Sequence, residues 1–592
     1  MLRQPWFVGA GVAALATAVY LNALANGLVW DDPIILTRQL LAFQSLRDLI
    51  FLPRNIPQFS PDYYRPLTIL TYLIDHAIGG ARPFMFHFSV VVFHVVTTYL
   101  LFRFGMELFR AQPMAVATAG LGAALFAVHP IHSESVAWGA GRSDVLACGF
   151  SVAGVLVYLS QHQPAWRRAA IAAALVFAAT LAKETAVPLL VLTPLSDIVL
   201  GRVGQGAAWS GPRAERRRRG VAPGPPSRLL LYFPFAVALA LYMGAREAVL
   251  GSALGPESTL GTDTLVQFIG ALGHYLTKLV LPVRQCAYIS DLPTGPFALL
   301  VTTVGVLSLA VACVLAWRRG ERAVSFLLLW IAFTLAPSLV IVFKIPFAPV
   351  AERYLYLPSV GYSLLLAYGA TRLFFALMSR EARVAVVAVV VVLLCAGAAA
   401  TARRNAVWRS NLTLWQDTAE KNLTDGLPMR SLATAYQQLG DAGKAKEYFL
   451  LALQRRNDAA GLLTIYNNLG SLAMMEKKLD EAEQYYRAAL SSNPGAADTL
   501  FNLALIGLTH AKDENGAHDQ TWRHEQAERA RRLFEQAQQL SPLDPDIPIG
   551  LGQTLSMLGD AAGARNAYER ALQLGLPPAT DAAVRQLLRE LR

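Results

Sequence analysis

Five short polar clusters stand at the ends of long apolar runs, and their side chains are of the types that acid–base and phosphate chemistry require. The first, residues 30–33, contains the adjacent carboxylates Asp31 and Asp32 directly after the first apolar run. Because neighbouring carboxylates repel each other, one of them would have a raised pKa and could act as a general base toward a hydroxyl group. A turn that only ends a helix is the alternative, and this cluster taken alone favours the turn.

Three further clusters contain cations. Residues 351–358 include Arg353, whose planar guanidinium group matches the oxygens of a phosphate. Lys183 and Glu184 lie between two apolar runs with almost no loop, so a buried pair there would need partners. Arg65 stands in the Tyr-Tyr-Arg-Pro sequence that opens a short apolar segment. Each cluster, taken singly, could be structural.

The remaining cluster places two histidines three residues apart. His129 and His132 are followed by Glu134, and then by Arg142 and Asp144. Two imidazoles and a carboxylate could bind a metal ion. A hydrogen-bonded network at a helix start is an equally good interpretation, so the sequence leaves metal dependence open.

The composition shows what kind of scaffold must position these clusters. Hydrophobic residues make up 54% of the 592 residues and charged residues 16%, with a mean hydropathy of +0.38. Soluble domains carry about 25% charged residues. The chain is therefore mostly membrane protein, and both intrinsic disorder and a small disulfide-rich scaffold are excluded. The four cysteines lie in or beside apolar stretches, and their spacing does not indicate a zinc site.

Eleven apolar runs are predicted to cross the membrane, and the first has no cleavage signature, so it is expected to stay in the protein. Arginines concentrate in alternate loops, above all in 201–228, and such loops face the cytoplasm. The net charge of +11 is thereby explained as a topology signal, and nucleic-acid binding loses its main support. The segments 66–79 and 265–283 are expected to be re-entrant or interfacial, and 403–592 to lie outside. The predicted spans are 6–25, 84–102, 113–128, 142–160, 167–182, 184–200, 228–249, 297–316, 322–343, 354–377 and 384–402.

Residues 403–592 repeat with a period near 34, in the pattern of tetratricopeptide (TPR) repeats. We expect an all-α protein with a membrane domain at 1–402, a linker helix at 403–428 and about four repeats at 429–592. An insertion near 511–524 contains His518 and His524 and directly follows His510, and we interpret it as a solvated loop. The array predicts a concave surface for a peptide or protein, and a rigid spacer or dimerisation module is the alternative.

The predicted topology brings the five polar clusters to the outer leaflet. Ionisable groups at membrane depth are costly, so their convergence is informative. Carboxylates, histidines and cations would meet at the boundary between lipid and water. This arrangement suits an enzyme that acts on a lipid phosphate with a polar head group on the outer side.

The order of the motifs resembles that of the transmembrane and TPR-repeat-containing protein O-mannosyltransferases. The string HPIHSESVAWGAGRSDVLA carries the resemblance, together with WDDP, YYRPL, LAKET, AERYLYLPSVGY and the junction at 408–422. That family is similar to other membrane glycosyltransferases of the GT-C fold. The resemblance implies a helical membrane bundle of GT-C type followed by a TPR solenoid. It also implies a polyprenyl-phosphate sugar donor and inversion at the anomeric carbon.

The resemblance assigns roles to residues of this chain. Asp31 or Asp32 would be the base, with Asp32 preferred, and Arg353 would bind the lipid phosphate. Lys183, Arg142 and Arg65 would assist Arg353. The other residues expected in the donor and acceptor pocket are His129, His132, Glu134, Asp144, Glu184, Glu352 and Tyr354.

The expected function is transfer of a sugar, mannose by the resemblance, to Ser or Thr hydroxyls of exported proteins. The composition is rich in Ala and Arg, as in bacterial proteins from GC-rich genomes, so the outer side would be the periplasm and the membrane the inner one. The expected partners are the lipid-linked donor, a protein acceptor on the repeats and membrane lipids, with no nucleic acid. Two alternatives remain: a glycan or lipid acceptor, or a non-enzymatic scaffold in which the membrane domain only anchors the repeats.

Overall fold

The computed structural model describes residues 4–40, 43, 45–51, 63–160, 164–201, 228–251, 262–340, 350–512 and 519–591. The arginine-rich loop 202–227, from which much of the predicted topology derives, lies outside these ranges. So does the centre of the predicted insertion, with His518.

The protein is all-α, and the chain divides into two compact units, Met1–Asn422 and Leu423–Arg592. In the described ranges, extended pairing is limited to two isolated bridges, Ile289 with Val350 and Asp425 with Arg456. The division differs from the expected boundary at residue 402. Helix Arg380–Val407 runs through that boundary without a break, and the following residues to 422 belong to the first unit.

The first unit consists of helices that form because their apolar runs can satisfy every backbone hydrogen bond internally within lipid. Short 3-10 turns at Pro130–His132, Gly139–Gly141, Glu184–Ala186 and Glu352–Leu355 interrupt them at the polar clusters. The α-helices are Pro5–Tyr20, Leu46–Phe51, Pro66–Gly79, Pro83–Leu108, Ala115–Ala127, Ser133–Ala137, Arg142–Leu159, Ala165–Ala182, Leu189–Val199, Arg228–Leu250, Thr262–Val280, Pro296–Arg318, Arg322–Val340, Ser359–Ala376, Arg380–Val407 and Asn411–Lys421.

Eight helices of the described ranges are long and apolar enough to cross a membrane, and nine if the bent pair Ala115–Ala127 and Pro130–Ala137 counts as one span. These ranges therefore contain fewer candidate spans than the eleven predicted from the sequence. Residues 184–200 form a 3-10 turn and the 11-residue helix Leu189–Val199, which is too short to span. Helix Ser359–Ala376 includes tyrosines, serines and Arg372, and it is not among the candidate spans.

The two segments expected not to cross also fall outside the candidate spans. Helix Pro66–Gly79 has 14 residues, which is about 21 Å at 1.5 Å per residue. The hydrocarbon core of a bilayer is about 30 Å thick. Pro66 at the first helical position and Gly80 with φ of 64° after the last turn fix the two ends of this helix.

Close packing by small residues holds the membrane helices together. Lipid is as apolar as the side chains, so helix association depends on tight packing rather than on the hydrophobic effect. At Gly154, a Cβ atom would lie 2.7 Å from Val176 and 3.1 Å from the carbonyl oxygen of Ala172. The backbone of helix Arg142–Leu159 at Gly154 therefore packs directly against helix Ala165–Ala182. One polar cluster lies at the start of the first helix, and another directly follows the end of the second.

The described residues of the second unit form four helix pairs and a terminal helix. Small residues at the helix contacts allow the pairs to approach, as at Gly470 against the ring of Tyr486 and Gly552 against Tyr568. Each aromatic ring is buried and fills the gap between helices. The pairs are Gly426–Gln438 with Ala442–Leu453, Ala459–Met475 with Leu479–Ser492, Ala497–Lys512 with Gln520–Leu540, and Asp546–Met557 with Ala561–Leu574, followed by Pro578–Glu590.

Candidate active site

A cavity of about 610 Å³ lies where the polar clusters of the first unit meet. Asp31, Arg65, Lys183, Arg353 and Tyr354 all line it, although 322 residues separate Asp31 from Arg353. The structure therefore brings together five of the thirteen residues assigned to the site from the sequence. Apolar side chains complete part of the wall, among them Ile34, Ile35 and Ile69.

The two adjacent aspartates have different surroundings. Asp32 is fully buried, and its carboxylate accepts hydrogen bonds from the backbone amides of Val29, at 3.2 Å, and Ala140, at 2.8 Å. Burial raises the pKa of Asp32 to about 7. Asp31 is half-buried and lines the cavity, while Asp32 does not. Of the two aspartates, Asp31 faces a space that a substrate could enter, whereas the sequence analysis preferred Asp32 as the base.

Asp31 is the carboxylate of the cavity that remains available for chemistry. Among the residues the structure describes, no side chain hydrogen-bonds to it or pairs with it within ion-pair distance. Burial raises the pKa of Asp31, and the nearby charge of Arg353 acts in the opposite direction. A carboxylate with a raised pKa in a partly desolvated cavity suits general-base chemistry.

The backbone at Trp30 sets the direction of the acidic loop. Trp30 has φ of 56°, in the left-handed region that costs a non-glycine residue energy. Its indole stacks on Trp138, with ring centroids 5.3 Å apart, and meets Trp415 edge to face at 5.2 Å. Trp138 also stacks on Trp408 at 5.7 Å. The junction after the last long helix thus supplies two of the rings that hold the acidic loop.

Arg353 reaches the cavity from the 3-10 turn Glu352–Leu355. Its guanidinium group donates to Glu134 at 2.5 Å, and its backbone amide donates to the same carboxylate at 3.1 Å. The group also lies over the ring of Trp138, 5.3 Å from the centroid. The side chain of Arg353 is 22% exposed, so part of its donor set still faces the cavity. Glu134 is buried and acts on the cavity only by orienting Arg353.

Lys183 is paired with Asp144. The ammonium group donates to both carboxylate oxygens, at 2.7 and 2.6 Å, and lies 4.7 Å from the ring centroid of Tyr354. Lys183 is almost completely buried. Burial lowers the pKa of Lys183 to about 8, although Asp144 partly opposes this effect.

Arg65 forms a two-pronged pair with Glu184. Its Nε donates to one carboxylate oxygen at 2.9 Å and its Nη2 to the other at 2.5 Å. Burial acts to raise the pKa of Glu184, but Arg65 and Lys183 outweigh it and lower the pKa to about 2. Glu184 is therefore a permanent anion whose role here is to fix Arg65 at the cavity wall.

Arg142 does not reach the cavity, contrary to the expectation that it assists in phosphate binding. Its side chain is fully buried and pairs with Asp75 at 2.5 Å. The guanidinium group also donates to the carbonyl of Phe86 and to Ser89, both at 2.8 Å. With these partners around it, Arg142 connects two helices behind the cavity rather than binding a ligand.

His129 and His132 also lie away from the cavity. His129 has its Nε2 3.1 Å from the carbonyl oxygen of Leu279, and His132 has its Nε2 2.8 Å from the hydroxyl of Ser359. His132 packs among buried rings, including Phe126 and Tyr356. Within the described ranges, no three His, Cys, Asp or Glu side chains are grouped so that they could hold a metal ion. Both histidines therefore take part in hydrogen bonds around the start of helix Ser133–Ala137.

Glu352 faces a separate, smaller cavity of about 170 Å³. It is buried, lies 3.2 Å from Lys278, and burial raises its pKa to about 7. Its neighbour Arg353 points to the main cavity, so adjacent residues of one 3-10 turn serve two different spaces.

Among the residues at or behind the cavity that were not assigned to it from the sequence, four are aromatic or charged. Trp138, Tyr72 and Tyr63 line it, and Tyr63 lies under Arg65 with 4.2 Å between the guanidinium carbon and the ring centroid. Asp75, the partner of Arg142, sits in the apolar segment 66–79. Asp75 could have been identified from the sequence, because a carboxylate within an apolar membrane segment requires a cation as its partner.

Comparison with known proteins finds similar sequences for both the membrane part and the repeat part of the chain. The family model described as Tetratricopeptide repeat matches residues 430–509 and 521–580. Solved structures align with part of the chain. The crystal structure of MamA aligns with 28% of this chain and 85% of its own, at 15% identity and a TM-score of 0.23. That of YrrB, titled a TPR protein with an unusual peptide-binding site, aligns with 30% and 81%, at 14% identity and 0.23.

Curated relatives extend over the membrane unit as well. Protein O-mannosyl-transferase TMTC3 of Homo sapiens is 25% identical over 95% of this chain and 64% of its own length. Protein O-mannosyl-transferase TMTC1 of Homo sapiens is 26% identical over 69% of this chain and 49% of its own. Protein O-mannosyl-transferase Tmtc1 of Drosophila melanogaster is 37% identical over 33% and 23%. The chain thus spans less than two thirds of the length of these relatives. It is nonetheless related, along nearly its whole length, to the transmembrane and TPR-repeat-containing proteins named protein O-mannosyl-transferases.

Proposed function

We propose that the protein is a membrane glycosyltransferase that moves a sugar, mannose by analogy with the names of its relatives, from a polyprenyl-phosphate donor to a hydroxyl acceptor. One observation supports this proposal most strongly. A single cavity contains Asp31, which has no side-chain partner among the described residues, together with cations from three distant parts of the first unit. Phosphate requires cations, and a hydroxyl nucleophile requires a base.

The reaction proposed for this cavity is a single displacement with inversion. The acceptor oxygen attacks the anomeric carbon while Asp31 takes the hydroxyl proton. The bond between the anomeric carbon and the phosphate oxygen breaks, and the polyprenyl phosphate leaves with the bonding electrons. Arg353, Arg65 and Lys183 stabilise the negative charge that develops on the leaving oxygen.

Each cation is held in place before the substrate arrives. Arg353, Arg65 and Lys183 are fixed by Glu134, Glu184 and Asp144, respectively. A group already oriented by a carboxylate loses little side-chain freedom when it binds phosphate, which is the advantage of a preorganised site. Tyr354 adds a ring beneath two of these charges.

The acceptor proposed is a Ser or Thr hydroxyl of an exported protein, held by the concave face of the repeats. Two features support this acceptor. The chain has tetratricopeptide repeats, and its relatives are named as transferases that act on proteins. The membrane proposed is a bacterial inner membrane, with the cavity and the repeats on the periplasmic side.

The test compares cells that lack this chain with cells complemented by three forms of it: wild type, Asp31→Asn and Glu381→Gln. Glu381 is an exposed carboxylate in the first turn of helix Arg380–Val407 and serves as the matched control. Intact-mass spectrometry of the periplasmic proteins should show additions of one hexose with wild type and Glu381→Gln. Asp31→Asn should lose them while it remains inserted in the membrane. Equal additions with Asp31→Asn would overturn the role of Asp31, and no additions with wild type would overturn the function.

A further inference from the structure

A second basic cavity, of about 550 Å³, lies at the opposite ends of the helices that build the first. Three guanidinium groups line it, those of Arg103, Arg110 and Arg168, against the single carboxylate of Glu107. Glu107 pairs with Arg110 at 2.8 Å. The cavity therefore has an excess of positive charge that its own carboxylate does not neutralise.

Two helices that lead to the wall of the first cavity, Arg142–Leu159 and Ala165–Ala182, also line the second, and helix Pro83–Leu108 runs from behind the first cavity to the second. Helix Pro83–Leu108 presents Ser89 to Arg142 near one end and Arg103 at the other, about 21 Å away at 1.5 Å per residue. Helix Ala165–Ala182 leads from Arg168 to Lys183, about 22 Å further along the chain direction. This separation approaches the thickness of the hydrocarbon core, so the second cavity lies at the other face of the membrane.

The side chains of this cavity are arranged for a ligand with both charge and apolar surface. Leu156, Val157 and Met106 form part of its wall, and Ile171 at its edge is 42% exposed. In a membrane helix, an exposed isoleucine faces lipid. A soluble anion would use only the guanidinium groups and would leave the apolar wall uncovered.

The arginines differ in how they are held. Arg168 donates to the backbone carbonyls of Tyr158 and Ser160 at the end of helix Arg142–Leu159, which fixes its position. Arg103 is exposed and touches the hydroxyl of Tyr99 at 3.5 Å; within the described residues it has no carboxylate partner. Arg110 is 48% exposed. Two exposed cations beside one fixed cation leave N–H donors that can reach a phosphate group.

We infer that this cavity binds the head group of an anionic phospholipid in the leaflet opposite the candidate active site. The phosphate would lie among the three guanidinium groups, and the acyl chains would lie along the lipid-facing surface near Ile171. The site is independent of the proposed transferase activity, because none of its residues belongs to the first cavity.

The test is native mass spectrometry of the full-length protein in detergent, titrated with dioleoyl phosphatidylglycerol or with the zwitterionic dioleoyl phosphatidylcholine. Wild type should bind the anionic lipid at least tenfold more tightly. Arg103→Gln with Arg110→Gln should remove most of this preference, and Arg103→Lys with Arg110→Lys should restore much of it. Arg318→Gln, an exposed arginine outside the cavity, is the matched control and should behave as wild type.

Three results would overturn the inference. The first is equal binding of the two lipids by wild type, and the second is an unchanged lipid preference in the glutamine double variant. The third is full displacement of the anionic lipid by millimolar inorganic phosphate, because that would make the cavity a soluble-anion site. The elution volume of each variant on size exclusion shows whether it is folded, and the lysine pair keeps the test valid if the glutamine pair does not fold.

Discussion

The backbone amide of Trp30 donates a hydrogen bond of 2.8 Å to the side-chain oxygen of Asn411, and this bond joins positions 381 residues apart. Trp30 has left-handed backbone geometry, which costs a residue of this kind about 1–2 kcal/mol. Asn411, the stacked ring of Trp138 and the edge-to-face ring of Trp415 offset this cost. The start of helix Asn411–Lys421 therefore sets the backbone at Trp30 and, with it, the direction of the Asp31 side chain.

Replacing Asn411 with alanine should lower kcat for sugar transfer at least tenfold and leave KM for the donor nearly unchanged. The physical reason is that the carboxylate of Asp31 would lose its alignment, while the phosphate-binding cations would stay in place. Asn411→Asp keeps an acceptor oxygen and should recover much of the rate. Steady-state kinetics on purified protein would measure both constants, and an unchanged kcat in Asn411→Ala would contradict the positioning role.

Asp32 should make the stability of the protein depend on pH. Its pKa rises from 3.8 to about 7 on folding, so the folded state favours the protonated form. This stabilisation is complete below about pH 4 and is lost as pH rises through about 7. Thermal unfolding in detergent should therefore show a steeper loss between these values for wild type than for Asp32→Asn. The variant Glu381→Gln should keep the wild-type slope, and parallel curves for Asp32→Asn would contradict the prediction.

Lys183 should make donor binding weaker in alkaline solution. Its pKa falls from 10.5 to about 8 in the folded protein, so the ammonium group loses its charge as pH rises through that value. We expect KM for the donor to increase several-fold above about pH 8, because one cation of the phosphate site disappears. Lys183→Arg stays charged, since arginine has a pKa above about 12, and its KM should change less over the same range. Equal pH profiles for the two proteins would exclude Lys183 from phosphate binding.

The pair of Arg142 and Asp75 should matter for stability rather than for substrate. Removing one partner of a buried ion pair leaves an uncompensated charge and costs about 3–5 kcal/mol. Asp75→Asn should therefore lower the melting temperature strongly. Replacing both residues with apolar ones, Asp75→Leu with Arg142→Met, should recover most of the stability and keep the KM for the donor. A large increase in KM for a well-folded double variant would restore Arg142 to the phosphate site.

The repeats should decide which acceptor is used. If the acceptor is a protein held by the repeats, deletion of residues 430–592 should abolish hexose addition to periplasmic proteins. Donor binding by the first unit should remain, because the cavity lies wholly within Met1–Asn422. Quantitative mass spectrometry of the periplasm and a donor-binding assay measure the two effects. Normal protein modification by the truncated chain would instead favour an acceptor, such as a glycan, that does not require the repeats.

The sequence predicted the convergence of the cavity residues but not their pairing. Arg65, Lys183, Arg353 and Asp31 stand at helix ends that alternate across the membrane, and alternation alone brings them to one side. Their partners could not be read in the same way, because Glu134 and Arg353 are 219 residues apart and their contact depends on how helices pack. The choice between adjacent aspartates depends on one backbone angle at Trp30, for which the sequence carries no clear signal.

The repeats and the spans show a similar contrast. Small and aromatic residues recur with a period near 34, apart from the insertion, so the helix pairs followed from spacing, as with Gly470 and Tyr486. Fewer helices of the described ranges qualify as spans than the sequence predicted, in part because hydropathy does not show where Lys183 and Glu184 break an apolar stretch into a 3-10 turn and a short helix. The histidines at 129 and 132 left two interpretations open until their neighbours were placed.

The pairing of each cavity cation with its own carboxylate also has a consequence for turnover. Three bare cations would hold the spent lipid phosphate, which is more highly charged than the donor diester, and product would accumulate on the enzyme. Each cation already pairs with a carboxylate of the protein: Arg353 with Glu134, Lys183 with Asp144 and Arg65 with Glu184. The phosphate of the product must compete with these carboxylates for the cations. The cavity can thus stabilise charge during bond cleavage and still release the carrier lipid for recycling.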